Sequence, residues 1–282
     1  MPKPPNPDIY RPMELPTSIR PYVRRALVAD SNQSVDMEVS VRATGYHYFG
    51  WVWRGIWQGE VNGKTLFSSD NDGTLHLTGQ VKQGDVIARM KRDIGQIFLE
   101  FTALGHFQLF GITGKKMVEN AVDPQMLNPA LARHFTTLCD AGDISAKARL
   151  ALLADVFSEL PKWETPNGLV AAIAQMEAAD GDIRISALVD DLDLAERQFR
   201  TQFETLVGLS PKTFCKTLQI NRAFSQVLMN NGGDLAGIAA EAGFSDQAHF
   251  TRSFSKFLGQ APKRYLNDVE TTLKRFVGQS RA

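Results

Sequence analysis

The spacing of apolar residues changes partway along the chain. Between Val35 and Ile112 they fall in short runs rich in β-branched and aromatic residues, such as Met37–Val41, Tyr46–Arg54, Thr74–Val81 and Gln96–Phe101. Asn62-Gly63, Asn71-Asp72-Gly73 and Gly84-Asp85 punctuate them as turns. Short strands at regular spacing predict a small β-barrel or sandwich. Past Ile112 the spacing becomes helical: Met126–Cys139 and Ile144–Leu160 carry apolar positions three and four apart, and glycine becomes scarce. These helices either dock on the barrel or pair with a second subunit. Pro161–Asn167, with two prolines and no apolar period, reads as a linker, and everything from Gly168 onward reads as helical.

The helical part repeats itself. Phe199, Phe203, Gly208, Pro211 and Lys212 recur as Phe250, Phe254, Gly259, Pro262 and Lys263, all at one offset of 51 residues, and Phe214 is matched by Tyr265. Two phenylalanines at i and i+4 bury one face of a helix. Glycine ends that helix in a left-handed conformation, and proline opens the next one where its missing N–H costs nothing. Each copy follows a short helix and a tight turn. In the first, Ser186 is the expected cap of Ala187–Leu192 and Asp193-Leu194-Ala195 the turn. In the second, Asp234 caps Leu235–Ala242, Gly243-Phe244-Ser245 turns, and Ser245 or Asp246 caps the next helix. Short helix, tight turn and longer helix make a helix-turn-helix unit, whose second helix enters the DNA major groove. Pro211–Met229 reads as one long helix joining the two units.

Gly208-Leu209-Ser210-Pro211 and the run Ala242–Phe254 resemble the C-terminal signature of AraC/XylS-type transcriptional regulators, over roughly Gly168–Leu266. The resemblance implies a seven-helix domain with two recognition helices in successive major-groove segments. Two positions depart from it. Asp193 replaces the usual turn glycine and Ala195 the usual serine cap; Asp tolerates the left-handed turn, while the absent cap costs about 1 kcal/mol. Leu15–Arg25 resembles the start of a compact cupin-like barrel found in some members of the family.

With the phenylalanines buried, Glu196, Arg197, Arg200 and Thr201 face outward on the first recognition helix, and Gln247, Thr251 and Arg252 on the second. Arg pairs bidentately with guanine, Gln suits adenine, and Thr touches the thymine methyl. His249 is a candidate for base or phosphate. These positions match the family motif residue by residue. Lys212, Lys256, Lys263 and Arg264 are the candidate phosphate contacts.

Charge sharpens this picture. The 282-residue chain is neutral overall, with 31 Lys and Arg against 31 Asp and Glu. Between Ala195 and Tyr265, however, nine basic residues stand against five acidic ones, and phosphate binding needs such local excess. Cys139 and Cys215 are too few for a disulfide framework, a structural zinc site or a zinc-activated alkyltransferase sharing this DNA-binding fold. His47, His76 and His106 are scattered, with no His-x-His pair, so neither metal nor cofactor is expected, nor enzymatic activity. With no apolar run of eighteen residues and no signal sequence, the expected setting is the bacterial cytoplasm, on the nucleoid.

The expected architecture is a multidomain α and β chain: a tail over 1–14, a β-rich sensor over 15–125, connecting helices over 126–160, a linker over 161–167, the all-α DNA-binding domain over 168–267 and a tail over 268–282. Tyr46, Tyr48, Trp51, Trp53 and Trp57 crowd one stretch and form either barrel core or a candidate ligand pocket. Cys215 reads as helix packing. The expected partners are double-stranded DNA, RNA polymerase, a small-molecule effector and a second copy of the chain, with Met126–Leu160 as the dimer seam. A protein-interaction adaptor without DNA binding is the alternative, against which the outward arginines argue.

Overall fold

The computed structural model describes residues 10–264 apart from 42, 70–72, 83–85, 128, 194, 231–232 and 259–260. Both expected tails therefore lie partly or wholly outside the described residues, as do Asn71-Asp72, Gly84-Asp85, Leu194, Gly259 and Tyr265. The N-terminal part is one antiparallel sheet of β1 (Tyr10–Met13), β2 (Val23–Val41), β3 (Tyr48–Val61), β4 (Lys64–Ser69), β5 (Thr74–Thr78), β6 (Val86–Phe101) and β7 (Ala121–Val122). Its order is β1-β2-β6-β3-β5-β7, with β4 pairing the far half of β3. Thus β3 changes partner along its length: Tyr48–Val52 pairs β5, and Trp57–Val61 pairs β4.

The β-rich and helical parts appear as the hydrophobic pattern predicts. The sheet is not closed into a barrel: among the described residues β1 and β7 stay apart at its two ends. Its apolar face is covered by helices instead. Phe49, Trp51, Ile97, Leu99 and Phe101 pack with Leu131, Phe135 and Leu138 of α3 (Pro129–Cys139) and Leu150, Leu153 and Phe157 of α4 (Ala146–Glu159). The connecting helices thus bury their apolar stripe on their own sheet. Between β6 and β7 run two short helices absent from the sequence reading, α1 (Gly105–Phe110) and α2 (Gly114–Met117).

The C-terminal part holds α5 (Asn167–Ala178), α6 (Ile185–Asp191), α7 (Glu196–Val207), α8 (Pro211–Met229), α9 (Leu235–Glu241) and α10 (Gln247–Leu258). It shares its cores with the sheet part. Tyr46, Ala103 and Leu104 join Phe199, Phe203 and Phe214 in one cluster; Ala43, Val61 and Val81 join Phe224, Phe250 and Phe254 in another. The Tyr46 hydroxyl donates to Glu177 on α5 at 2.7 Å, and the Asn221 amide on α8 donates to the Thr44 carbonyl at 3.0 Å. Gly114 lies against the end of α7 so closely that a Cβ there would sit 2.4 Å from the Val207 carbonyl. The Pro161–Asn167 segment is docked rather than free: the Trp163 backbone N–H donates to the Gln108 carbonyl at 2.9 Å, and the indole lies on Phe107 and Gly111.

Candidate nucleic-acid interface

The first unit is α6, a turn at Asp193, and α7. Asp193 holds the left-handed conformation (φ 50°) that the turn demands. Ser186 does not cap α6 as expected. The helix starts two residues earlier, at Ile185, with Arg184 as a cap whose side chain makes no hydrogen bond, because the partly buried Ile185 packs on the same cluster as Leu188 and Val189, which draws it into the first turn. Ala195 stands at the N-cap of α7 in extended conformation and offers its first amides no acceptor. Ala195→Ser should therefore raise stability by about 1 kcal/mol; urea denaturation reads this directly, and no gain would mean that water caps α7 as well as serine does.

On α7, Phe199, Phe203 and Val207 are buried, and Gly208 ends the helix at φ 94°. Glu196, Arg197, Arg200 and Thr201 are all exposed, as their spacing predicts. Arg200 grips Glu196 through Nε and Nη2, at 2.9 and 2.6 Å. Such an exposed pair is worth only about 0.3–0.5 kcal/mol. The Thr201 hydroxyl donates to the Arg197 carbonyl at 2.9 Å. Gln198 is exposed beside them; its availability depends on how α7 packs, which periodicity alone did not reveal.

The second unit is better capped. The Asp234 carboxylate accepts the Gly237 amide at 2.8 Å, and Asp246 accepts the His249 amide at 2.6 Å. That backbone hydrogen bond holds the Asp246 carboxyl below its usual range. Gly243 (φ 76°) makes the turn and Phe244 is buried behind it. Gln247 and Arg252 are exposed on α10, Thr251 is half-buried, and Phe250 and Phe254 are fully buried. His249 faces the turn: Nδ1 lies 3.0 Å from the Ser245 hydroxyl, and its ring meets Phe244 edge-on. Lys212, Lys256, Lys263 and Arg264 are exposed. The Lys216 ammonium sits 3.7 Å from the Phe244 ring centre, and burial, with Lys212 nearby, lowers its pKa.

The aromatic stretch does not converge on one pocket. Trp51 is core, with the Arg149 guanidinium 4.7 Å from it and 4.6 Å from Trp53. Trp57 stacks on His76 beside Phe67 and Phe98. The Tyr48 hydroxyl donates to Glu100, and Tyr46 turns to Glu177. His47 and His106, distant in sequence, stack at 3.5 Å; burial keeps both neutral and pushes His106 down to about 3. Cys215 is buried, which pushes its thiol up to about 11, whereas Cys139 is exposed. Among the described residues no three His, Cys, Asp or Glu side chains group as metal ligands, and no helix is long and apolar enough to cross a membrane.

Two helix-turn-helix units on one connecting helix define the C-terminal part as a double helix-turn-helix domain. Residues 188–268 match the family described as "Helix-turn-helix domain", and the domain is of the AraC type. Over 90 residues the chain is 31% identical to the virulence regulon transcriptional activator VirF of Yersinia enterocolitica, covering 32% of this chain and 33% of that protein. It is 36% identical over 66 residues to the HTH-type transcriptional regulator ExsA of Pseudomonas aeruginosa, 23% of each chain. The match thus spans a third or less of these relatives. Among solved structures, ToxT from Vibrio cholerae is similar over 86% of this chain and 98% of its own, at 13% identity and a TM-score of 0.45.

Proposed function

We propose that the chain is a sequence-specific DNA-binding transcription regulator without enzymatic activity. One observation carries the reading: α7 and α10 each present an exposed polar face backed by an equivalent buried Phe pair, Phe199/Phe203 and Phe250/Phe254, and the continuous helix α8 joins them. Glu196, Arg197, Arg200 and Thr201 read bases in one major-groove segment; Gln247, Thr251 and Arg252 read the next, with His249 at its edge. Lys212, Lys256, Lys263 and Arg264 hold phosphates. The first unit, with two outward arginines, supplies most base discrimination, and the better-capped second unit acts as the clamp. The sheet part takes the sensor or dimerisation role, with a small-molecule effector, a second copy of the chain and RNA polymerase as partners.

Arg200→Ala and Arg252→Ala should each weaken operator binding by about 1–3 kcal/mol and relax base preference locally. Fluorescence anisotropy with operator variants at several salt concentrations measures both effects. Unchanged affinity and preference in both variants would refute the contact assignment, and binding without a steep salt dependence would favour the adaptor.

A further inference from the structure

We propose that the loop Asp180-Gly181-Asp182, between α5 and α6, sets the separation of the two recognition helices and thereby selects the spacing of DNA half-sites. The inference rests on the DNA-binding reading above. The long helix α8 joins the units, and each packs on it mainly through apolar side chains, with Gln226 on α8 donating to Glu241 on α9 as a polar tie. Something more directional is needed to hold the turn of the second unit to the scaffold of the first. The loop supplies it by touching α8 at two points and the α9–α10 turn at a third.

Its first contact is with α8. Gly181 is buried at φ +80° and closes α5 by donating its N–H to the Met176 carbonyl at 2.8 Å. A Cβ at this position would lie 2.1 Å from the Cys215 carbonyl oxygen and 2.8 Å from its carbon. Both are helix backbone and cannot give way, so any side chain here lifts the loop off α8. Asp180 makes the second contact, an ion pair with Arg222 at 3.4 Å. Cys215 and Arg222 are two helical turns apart on one face, about 10 Å, so the loop lies along α8 instead of touching it at a point.

The third contact crosses to the second unit. Asp182 reaches the α9–α10 turn, where a Cβ on Gly243 would sit 3.0 Å from the carboxylate. Gly243 stands four residues before Gln247, the first residue of α10. The same turn is also held to α8 by Lys216 over Phe244, at 3.7 Å. The turn that launches the second recognition helix is therefore wedged between α8 and a loop belonging to the scaffold of the first.

Half-site spacing is a demanding test of such a wedge. Adding or removing one base pair moves one half-site by roughly 3.4 Å and turns it by about 34°, which two rigidly related helices cannot follow. Gly181, Arg222 and Asp182 are positioning residues in this sense, and none of them is assigned a base or phosphate.

The test uses the full chain, an operator selected from genomic DNA, and the same operator lengthened or shortened by one base pair between half-sites. The readout is the ratio of affinities for native and altered spacing. Gly181→Ala, and separately Arg222→Ala and Asp182→Ala, should lower that ratio by about fivefold or more, roughly 1 kcal/mol of lost discrimination. Arg222 and Asp182 are partly exposed, so their variants keep the test alive if Gly181→Ala fails to fold. A ratio equal to wild type in folded Arg222→Ala and Asp182→Ala overturns the inference and leaves the DNA-binding reading intact. Absence of salt-dependent DNA binding by the wild type would instead bring down both.

Discussion

Replacing Glu100 with alanine should destabilise the protein by about 3–5 kcal/mol, the cost of breaking a buried ion pair and leaving its partner uncompensated. Glu100 is 2% exposed at the end of β6. Its carboxylate accepts Arg25 Nη2 at 2.7 Å, Arg24 Nη1 at 3.0 Å and the Tyr48 hydroxyl. Burial pushes the carboxyl upward; Arg25 and then Arg24 outweigh it and hold the group below its ordinary value of 4.5. The sign of the pH dependence follows. A carboxyl with a depressed folded pKa stabilises the fold fully above its unfolded value, and this stabilisation is lost as pH falls through the folded value. Glu100→Gln keeps the shape and removes the charge, so wild type and Glu100→Gln should differ clearly at pH 7 and converge on acidification. Urea denaturation across that range measures it. Equal stability at pH 7 would show that the two arginines are satisfied without Glu100. Because Arg24 also lies 3.8 Å from the Tyr46 ring centre, and Tyr46 holds Glu177, the loss should be felt in the helical part as well.

Phe254→Ala should cost about 3–5 kcal/mol and disable the second helix-turn-helix unit. Phe254 is fully buried, 5.4 Å from the Phe250 ring and stacked on Phe224 at 5.9 Å. Removing it opens a cavity between α8 and α10 and frees the recognition helix from its backing. Denaturation monitored by circular dichroism should show the destabilisation, and operator affinity should fall with it. Arg252→Ala, on the exposed face of the same helix, should lower affinity with stability unchanged. If Phe254→Ala melted like wild type, the buried Phe pair would not be what holds α10 in place.

These two residues differ in how they became visible. Phe254 was legible in the sequence, because i and i+4 apolar spacing is a local property of one helix and the 51-residue offset repeats it. The caps at Asp234 and Asp246, the left-handed Asp193 and the bounds of α8 are local in the same way, each depending on a few neighbouring residues. Ser186 shows where local reading ends: a plausible cap lost to the partial burial of Ile185, which depends on what α6 packs against. Glu100 gave no local signal, since Arg24, Arg25 and Tyr48 reach it only when β2, β3 and β6 lie side by side.

The chain's periodicities, its repeat and its turn residues settle that a β-rich part precedes a helical one, that two helix-turn-helix units exist, and that Glu196, Arg197, Arg200, Thr201, Gln247 and Arg252 face away from the core. Three features required the tertiary structure. The sheet stays open because α3 and α4 cover its apolar face. The sheet part completes the cores of both units through Tyr46, Ala103 and Leu104 on one side and Ala43, Val61 and Val81 on the other. The Asp180–Asp182 loop pins the second turn to the first scaffold. All three depend on contacts between residues tens to more than a hundred positions apart. Such contacts form only when shape, burial and charge fit across elements, and side-chain spacing within one element carries no record of them.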